Sequence, residues 1–180
     1  MNTSSRAFIQ PLPGAFVAID FETADHGADS ACAVGLVRVE DGRVRRRVRQ
    51  LLRPPRRRMM FTHIHGITWQ DVQDKPTFGE AWPLLQDVLE GALFLAAHNA
   101  GFDRAVLAAC CEAAGLAPPC LPFVCTVRQA RHTLGIRPAD LATVARVLEL
   151  KLNHHDALSD AEACARIVMA ARRVLRGRLP

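Results

Sequence analysis

Tyrosine is absent from the 180 residues, and only Lys75 and Lys151 are lysines among 23 basic side chains. The formal net charge of +5 is therefore carried almost entirely by arginine. Arginine pairs bidentately with phosphate, so a polyanionic partner suits this composition, although a genomic bias towards arginine and alanine gives the same count. Also missing is any apolar run near the roughly 18 residues that a spanning helix needs, which excludes a transmembrane reading. Met1 to Pro13 holds no sustained apolar stretch and Ala15–Ile19 is too short for a signal sequence, so the expected compartment is the cytoplasm. None of the six cysteines forms a C-x-x-C pair, and Cys110 and Cys111 are vicinal. That excludes zinc-site spacing and a secreted disulfide framework, leaving reduced, mostly buried thiols.

What is present reads as one soluble domain: 49% of residues are hydrophobic and 23% charged. Residues 1–13 read as a flexible leader, 14–176 as a single domain and 177–180 as a tail. The alternation predicts strands over Ala15–Phe21, Ala31–Glu40 and Val44–Leu52, with a tight hairpin at Asp41-Gly42. A polar, arginine-rich loop follows. Helices are expected over Phe78–Leu89, Gly101–Ala114, Val127–Thr133, Ala139–Leu148 and Leu158–Leu175, with strands at Leu93–Ala97 and Phe123–Cys125. Three meandering strands followed by strand–helix alternation imply a mixed sheet covered by helices.

Five residues in three segments carry the chemistry: Asp20 and Glu22 in FVAIDFET, Asp103 in HNAGFD, and His155 with Asp160 in HHDALSDA. Asp20 and Glu22 are two apart on a strand, so their carboxylates share a face. Burying two like charges together is unfavourable unless a cation lies between them. Asp103 falls in the first turn of a helix, where a carboxylate suits either a metal or the helix dipole, and taken alone the capping role is the stronger. His155 precedes the last helix and Asp160 lies in its first turns, so an imidazole and a carboxylate can face one point. His154 reads as a solvated neighbour. Four acids and an imidazole that titrates near neutrality are what a two-metal phosphodiester hydrolase needs.

The pattern D-x-E, then H-N-x-x-F-D, then H-x-x-x-x-D resembles the DEDDh branch of the DEDD exonuclease superfamily. It is most similar to the proofreading (epsilon) subunits of bacterial DNA polymerase III and their stand-alone relatives. THIHGIT (Thr62–Thr68) and FVCT (Phe123–Thr126) resemble further segments of that family. The sister branch uses tyrosine in place of the last histidine, and a chain without tyrosine is excluded from it. The resemblance implies an α/β, ribonuclease-H-like fold: a mixed five-stranded sheet, three antiparallel strands then two parallel, flanked by helices. It implies that Asp20, Glu22, Asp103 and Asp160 hold two divalent cations, Mg²⁺ or Mn²⁺, and that His155 deprotonates the attacking water. It also implies substrate contacts at Thr23, Ile64, His65 and Phe102, with His98 and Asn99 in support.

The expected activity is 3′–5′ hydrolysis of single-stranded ends to nucleoside 5′-monophosphates, on DNA in preference to RNA. The alternatives are an exoribonuclease, or a weakly active module docking on a polymerase or repair complex. The chain's end at Pro180 leads to the expectation of a free-standing trimming or repair enzyme. Nine arginines between Arg43 and Arg58 read either as a track for single-stranded nucleic acid or as a charged strand edge guarding against aggregation.

Overall fold

In the computed structural model, which describes residues 14–177, the alternating segments form a meander of β1 (Phe16–Thr23), β2 (Ala31–Glu40) and β3 (Arg43–Leu51). Asp41 and Gly42 both take positive φ, 49° and 75°, which suits a tight hairpin. Two short strands, β4 (Leu95–Ala97) and β5 (Phe123–Cys125), complete a sheet of order β3-β2-β1-β4-β5. β1 runs antiparallel to β2 and parallel to β4, and β4 parallel to β5. This is the five-stranded mixed sheet that the sequence implies. The expected leader, 1–13, and the last residues of the tail, 178–180, lie outside the described residues.

The helices are α1 (Thr62–His65), α2 (Trp69–Val72), α3 (Phe78–Leu89), α4 (Gly101–Ala113), α5 (Thr126–Gln129), α6 (Leu141–Val147) and α7 (Ala157–Arg176). They cover both faces. Val17, Ile19 and Phe21 of β1 pack with Leu85 and Val88 of α3 and with Val106 and Cys111 of α4. Phe16 and Ala18 point the other way, into a second core with Val144 of α6 and Cys164, Ile167 and Val168 of α7. The period of two carries Asp20 and Glu22 along that second face, to where α7 begins.

α7 can begin there because of Gly35, which pairs with Asp20 across β1 and β2. A Cβ on Gly35 would lie 2.0 Å from the Ala157 carbonyl oxygen, so the first turn of α7 rests directly on the strand backbone. Asp156 caps α7, its side chain accepting the Ser159 N–H at 3.0 Å. Asp160 is thereby brought beside β1.

Several boundaries differ from expectation. β4 starts at Leu95 rather than Leu93, although the Leu93 N–H is bonded to the Ala15 carbonyl at 2.9 Å. The third strand is displaced by one residue, to Arg43–Leu51. The segment expected to be loop contains α1 and α2, each a single turn and too short to leave a periodic signal. Gly66, at φ 75°, closes α1 with its N–H on the Thr62 carbonyl at 2.8 Å. The helix expected over Val127–Thr133 is α5 followed by a π turn, Ala130–Leu134. All six cysteines are free, and four of them are buried. No described helix is long and apolar enough to cross a membrane.

Candidate active site

β1 delivers two carboxylates, α4 one and α7 one. Oxygens of Asp20, Glu22 and Asp160 lie within 4.8 Å of one another. Asp103 is 1% exposed, and its Oδ1 accepts the Phe21 N–H at 3.1 Å. Asp103 is not part of that group, and its place in the first turn of α4 still suits the helix dipole. Ala100 occupies the N-cap of α4, while the Asp103 carboxylate turns across to the end of β1.

Such crowding has an electrostatic consequence. Burial, then the charges of Asp103, Asp160 and Glu22, holds Asp20 well above the usual carboxylate range. Burial, reinforced by Asp160 and Asp103, pushes Glu22 up to about 8. Burial also raises Asp103 to about 7, although the Phe21 N–H opposes it. Four carboxylates cannot all ionise here at neutral pH unless cations compensate them. One buried oxygen, Asp160 Oδ1, has no hydrogen-bond partner among the described residues. Hard oxygen donors, one of them orphaned, fit a divalent cation.

Four histidines line the same cleft of about 460 Å³. Two are locked by their partners. Because a carbonyl can only accept, His65 donates from Nε2 to the Thr23 carbonyl at 3.2 Å, leaving Nδ1 to accept the Ile67 N–H at 3.0 Å. His98 donates from Nε2 to the Ala139 carbonyl at 3.0 Å, and its Nδ1 is hydrogen-bonded with the Thr126 hydroxyl at 2.9 Å. Burial lowers the basicity of both rings. His154 is exposed, as expected, and also engages the site: its Nδ1 lies 2.9 Å from Asp160 Oδ2 and its ring stacks on His155 at 3.9 Å. His155 takes φ 67° and donates its backbone N–H to Asp160 Oδ2 at 3.1 Å. Its ring nitrogens make no hydrogen bond among the described residues, and burial and then His154 lower its pKa.

Thr23 and the large apolar side chains Ile64 and Phe102 also line the cleft; Ile64 and Phe102 remain 44% and 46% exposed. Apolar surface left open beside carboxylates suits the face of a base or sugar. Asn99 does not line the cleft; it holds a left-handed turn, φ 66°, at the entry to α4. Phe61, Asp140, Leu141 and His154 line the cleft without having been singled out as site residues in the sequence. His154 left a signal, the histidine doublet beside the H-x-x-x-x-D motif. Asp140 and Leu141 open the helix expected over Ala139–Leu148 and Phe61 precedes THIHGIT, but neither place marks a site residue.

The family model RNase_T, described as "Exonuclease", matches residues 17–168, which includes every carboxylate of the cluster. The chain belongs to the exonuclease family. This exonuclease domain is 30% identical over 158 residues to a PolC-type DNA polymerase III of Thermotoga petrophila, covering 86% of the chain. It spans only 12% of the length of that polymerase. Among solved structures it is similar to exonuclease X in complex with 5′ overhanging duplex DNA, at 25% identity and a TM-score of 0.71, covering 88% of this chain and 91% of that one. The fold also matches the nuclease domain of a DEDDh family member bound to rAMP, at a TM-score of 0.74 and 17% identity, covering 92% and 93% of the two chains. The domain is thus a nuclease with a ribonuclease-H-like fold, and its family implies dependence on divalent metal.

Proposed function

We propose that this domain is a 3′–5′ exonuclease that removes nucleoside 5′-monophosphates from single-stranded ends, with DNA as the preferred substrate. The observation that carries the reading is the convergence of Asp20, Glu22 and Asp160 on one cleft, with Asp103 buried behind β1 and Asp160 Oδ1 unpartnered among the described residues. Asp20, Glu22 and Asp160, with Asp103 behind them, would hold two divalent cations, Mg²⁺ or Mn²⁺. When bound, these supply charge neutralisation at the phosphate and stabilise the leaving oxygen. Every other part falls to the chain itself. Ile64 and Phe102 hold the terminal nucleotide between apolar faces, beside Thr23. Water attacks the phosphorus, the bond to the 3′ oxygen of the penultimate nucleotide breaks, and the water's proton passes to His155. Of the four cleft histidines, His65 and His98 have both ring nitrogens occupied and His154 is engaged with Asp160. Among the described residues His155 alone of the four has neither ring nitrogen hydrogen-bonded, and its lowered pKa keeps it able to accept a proton near neutrality.

The likeness to a stretch of a PolC-type polymerase supports a polymerase or repair complex as the setting in which the domain works. The test is degradation of matched DNA and RNA oligonucleotides labelled at the 5′ end, with Mg²⁺ or Mn²⁺. A ladder shortening from the 3′ end, faster on DNA and lost in EDTA and in Asp20→Ala, supports the proposal. A folded, cation-loaded protein giving no ladder overturns it in favour of a docking module.

A further inference from the structure

Six of the nine arginines between Arg43 and Arg58 are committed to ion pairs: Arg45 with Glu40, Arg46 with Asp87, Arg47 with Glu162, Arg49 with Asp156, Arg53 with Glu80, and Arg56 with both Asp25 and Asp29. These pairs tie β3 and the segment after it to β2, α3, α7 and the loop after β1. They therefore do not form a continuous cationic track. Arg57 is placed over the Trp69 ring, 5.8 Å from its centroid. Arg58 is exposed, has no acidic partner among the described residues, and lines a second cavity of about 310 Å³.

That cavity adjoins the catalytic cleft. Thr23 lines the cleft, while Asp25 and His26 line the cavity. Between them the Met60 N–H is bonded to the Ala24 carbonyl at 2.6 Å. The Phe61 ring, a wall of the cleft, meets the exposed His26 ring edge-to-face, with centroids 5.0 Å apart at 84°. One apolar and aromatic seam thus passes from one space into the other. The two acids of the cavity do not repel an incoming phosphate as free anions would. Arg56 donates two hydrogen bonds to Asp25 and two to Asp29. Arg56 engages both carboxylates, and Arg58, paired with neither, brings the two acids and two arginines of the cavity to neutrality in sum. Its volume lies at the lower end of the roughly 300–1,000 Å³ of ligand pockets, room for one nucleotide unit.

We propose that this cavity is a subsite for the strand upstream of the scissile bond, where Arg58 takes a backbone phosphate and the His26 ring stacks a base. The proposal rests on the exonuclease reading for its substrate. The same geometry commits six of the segment's arginines to the fold and leaves Arg58 as the one that lines the cavity without an acidic partner among the described residues.

Two substrates separate the subsite from the catalytic centre: an oligothymidylate of about a dozen nucleotides, and the p-nitrophenyl ester of thymidine 5′-monophosphate, which has no upstream nucleotide. Arg58→Ala and His26→Ala each raise KM for the oligonucleotide about fivefold or more while leaving ester hydrolysis unchanged. Arg58→Ala also lowers the slope of log affinity against log salt by about 0.7, the share of one phosphate contact on a single strand. Arg58→Lys keeps that slope, and so does Arg46→Ala, whose arginine is paired on β3. The subsite is overturned if oligonucleotide KM and salt slope stay at wild-type values in both variants, or if the ester suffers equally. If the wild-type protein hydrolyses neither substrate, the exonuclease reading fails separately. Fluorescence anisotropy of the labelled oligonucleotide then decides the subsite, weaker binding by Arg58→Ala supporting it and equal binding overturning it.

Discussion

Neutralising one member of the carboxylate cluster should stabilise the cation-free protein while disabling it. Glu22 allows the magnitude to be worked. Burial, then Asp160 and Asp103, holds its pKa at about 8 in the folded chain, against an ordinary 4.5. Over the interval between those values the folded state keeps a proton that the unfolded chain has released. Stability therefore falls as pH rises from 4.5 towards 8, by about 1.36 kcal/mol for each unit. At pH 7 two and a half units have accumulated, about 3 kcal/mol, and the open cleft, which lets water reach the carboxylate, makes this a ceiling. Glu22→Gln removes the titration. Urea denaturation in EDTA, followed by tryptophan fluorescence, should find the variant more stable than wild type by about 1–3 kcal/mol at pH 7. The two proteins should converge near pH 4.5. Added Mg²⁺ or Mn²⁺ should raise the wild type and leave the variant nearly unmoved. The reasoning is refuted if Glu22→Gln is no more stable than wild type in EDTA at pH 7, or if the gap does not widen with pH.

Gly35→Ala places a methyl carbon against the Ala157 carbonyl, and overpacking of this kind costs about 1–3 kcal/mol. Chemical denaturation should record that loss, and a calorimetric cation titration should record weaker binding as Asp160 moves with α7. Hydrogen bonds from Arg56 hold Asp25 down to about 2, so the clamp's stabilisation is present above roughly pH 4 and is lost as pH falls towards 2. Arg56→Ala should accordingly move the acid-unfolding midpoint, read by circular dichroism, to higher pH. His155→Ala should lower kcat by about 10²–10⁴-fold with cation binding retained, the size of effect a general base supplies. Phe102→Ala should raise KM for every terminal base alike, since an apolar face reads no sequence.

The motifs were legible because their geometry is local. A spacing of two on a strand places Asp20 and Glu22 on one face whatever else the chain does, and the core side chains Val17, Ile19 and Phe21 confirm that face by packing opposite. The hairpin at Asp41-Gly42 and the long helix after Asp156 were readable for the same reason. What escaped depends on partners far along the chain. The reach from Gly35 to Ala157 leaves only one trace, a glycine inside an apolar strand, which is the sign of a close backbone approach. The arginine segment reads as a basic run until Asp87, Glu162 and Asp156 are brought alongside it by folding. The locked tautomers of His65 and His98 likewise depend on carbonyls of Thr23 and Ala139, invisible to any side-chain pattern.

The most direct test of the account is a calorimetric titration of the metal-free protein with Mn²⁺, run beside Asp20→Asn and Asp160→Asn, with hydrolysis of a single-stranded oligonucleotide followed over the same concentrations. The account predicts two Mn²⁺ per wild-type chain, hydrolysis rising with their occupancy, and loss of both binding and hydrolysis in the variants. Wild-type protein that binds no Mn²⁺, or variants that bind it as tightly, would contradict the assignment of the carboxylate cluster.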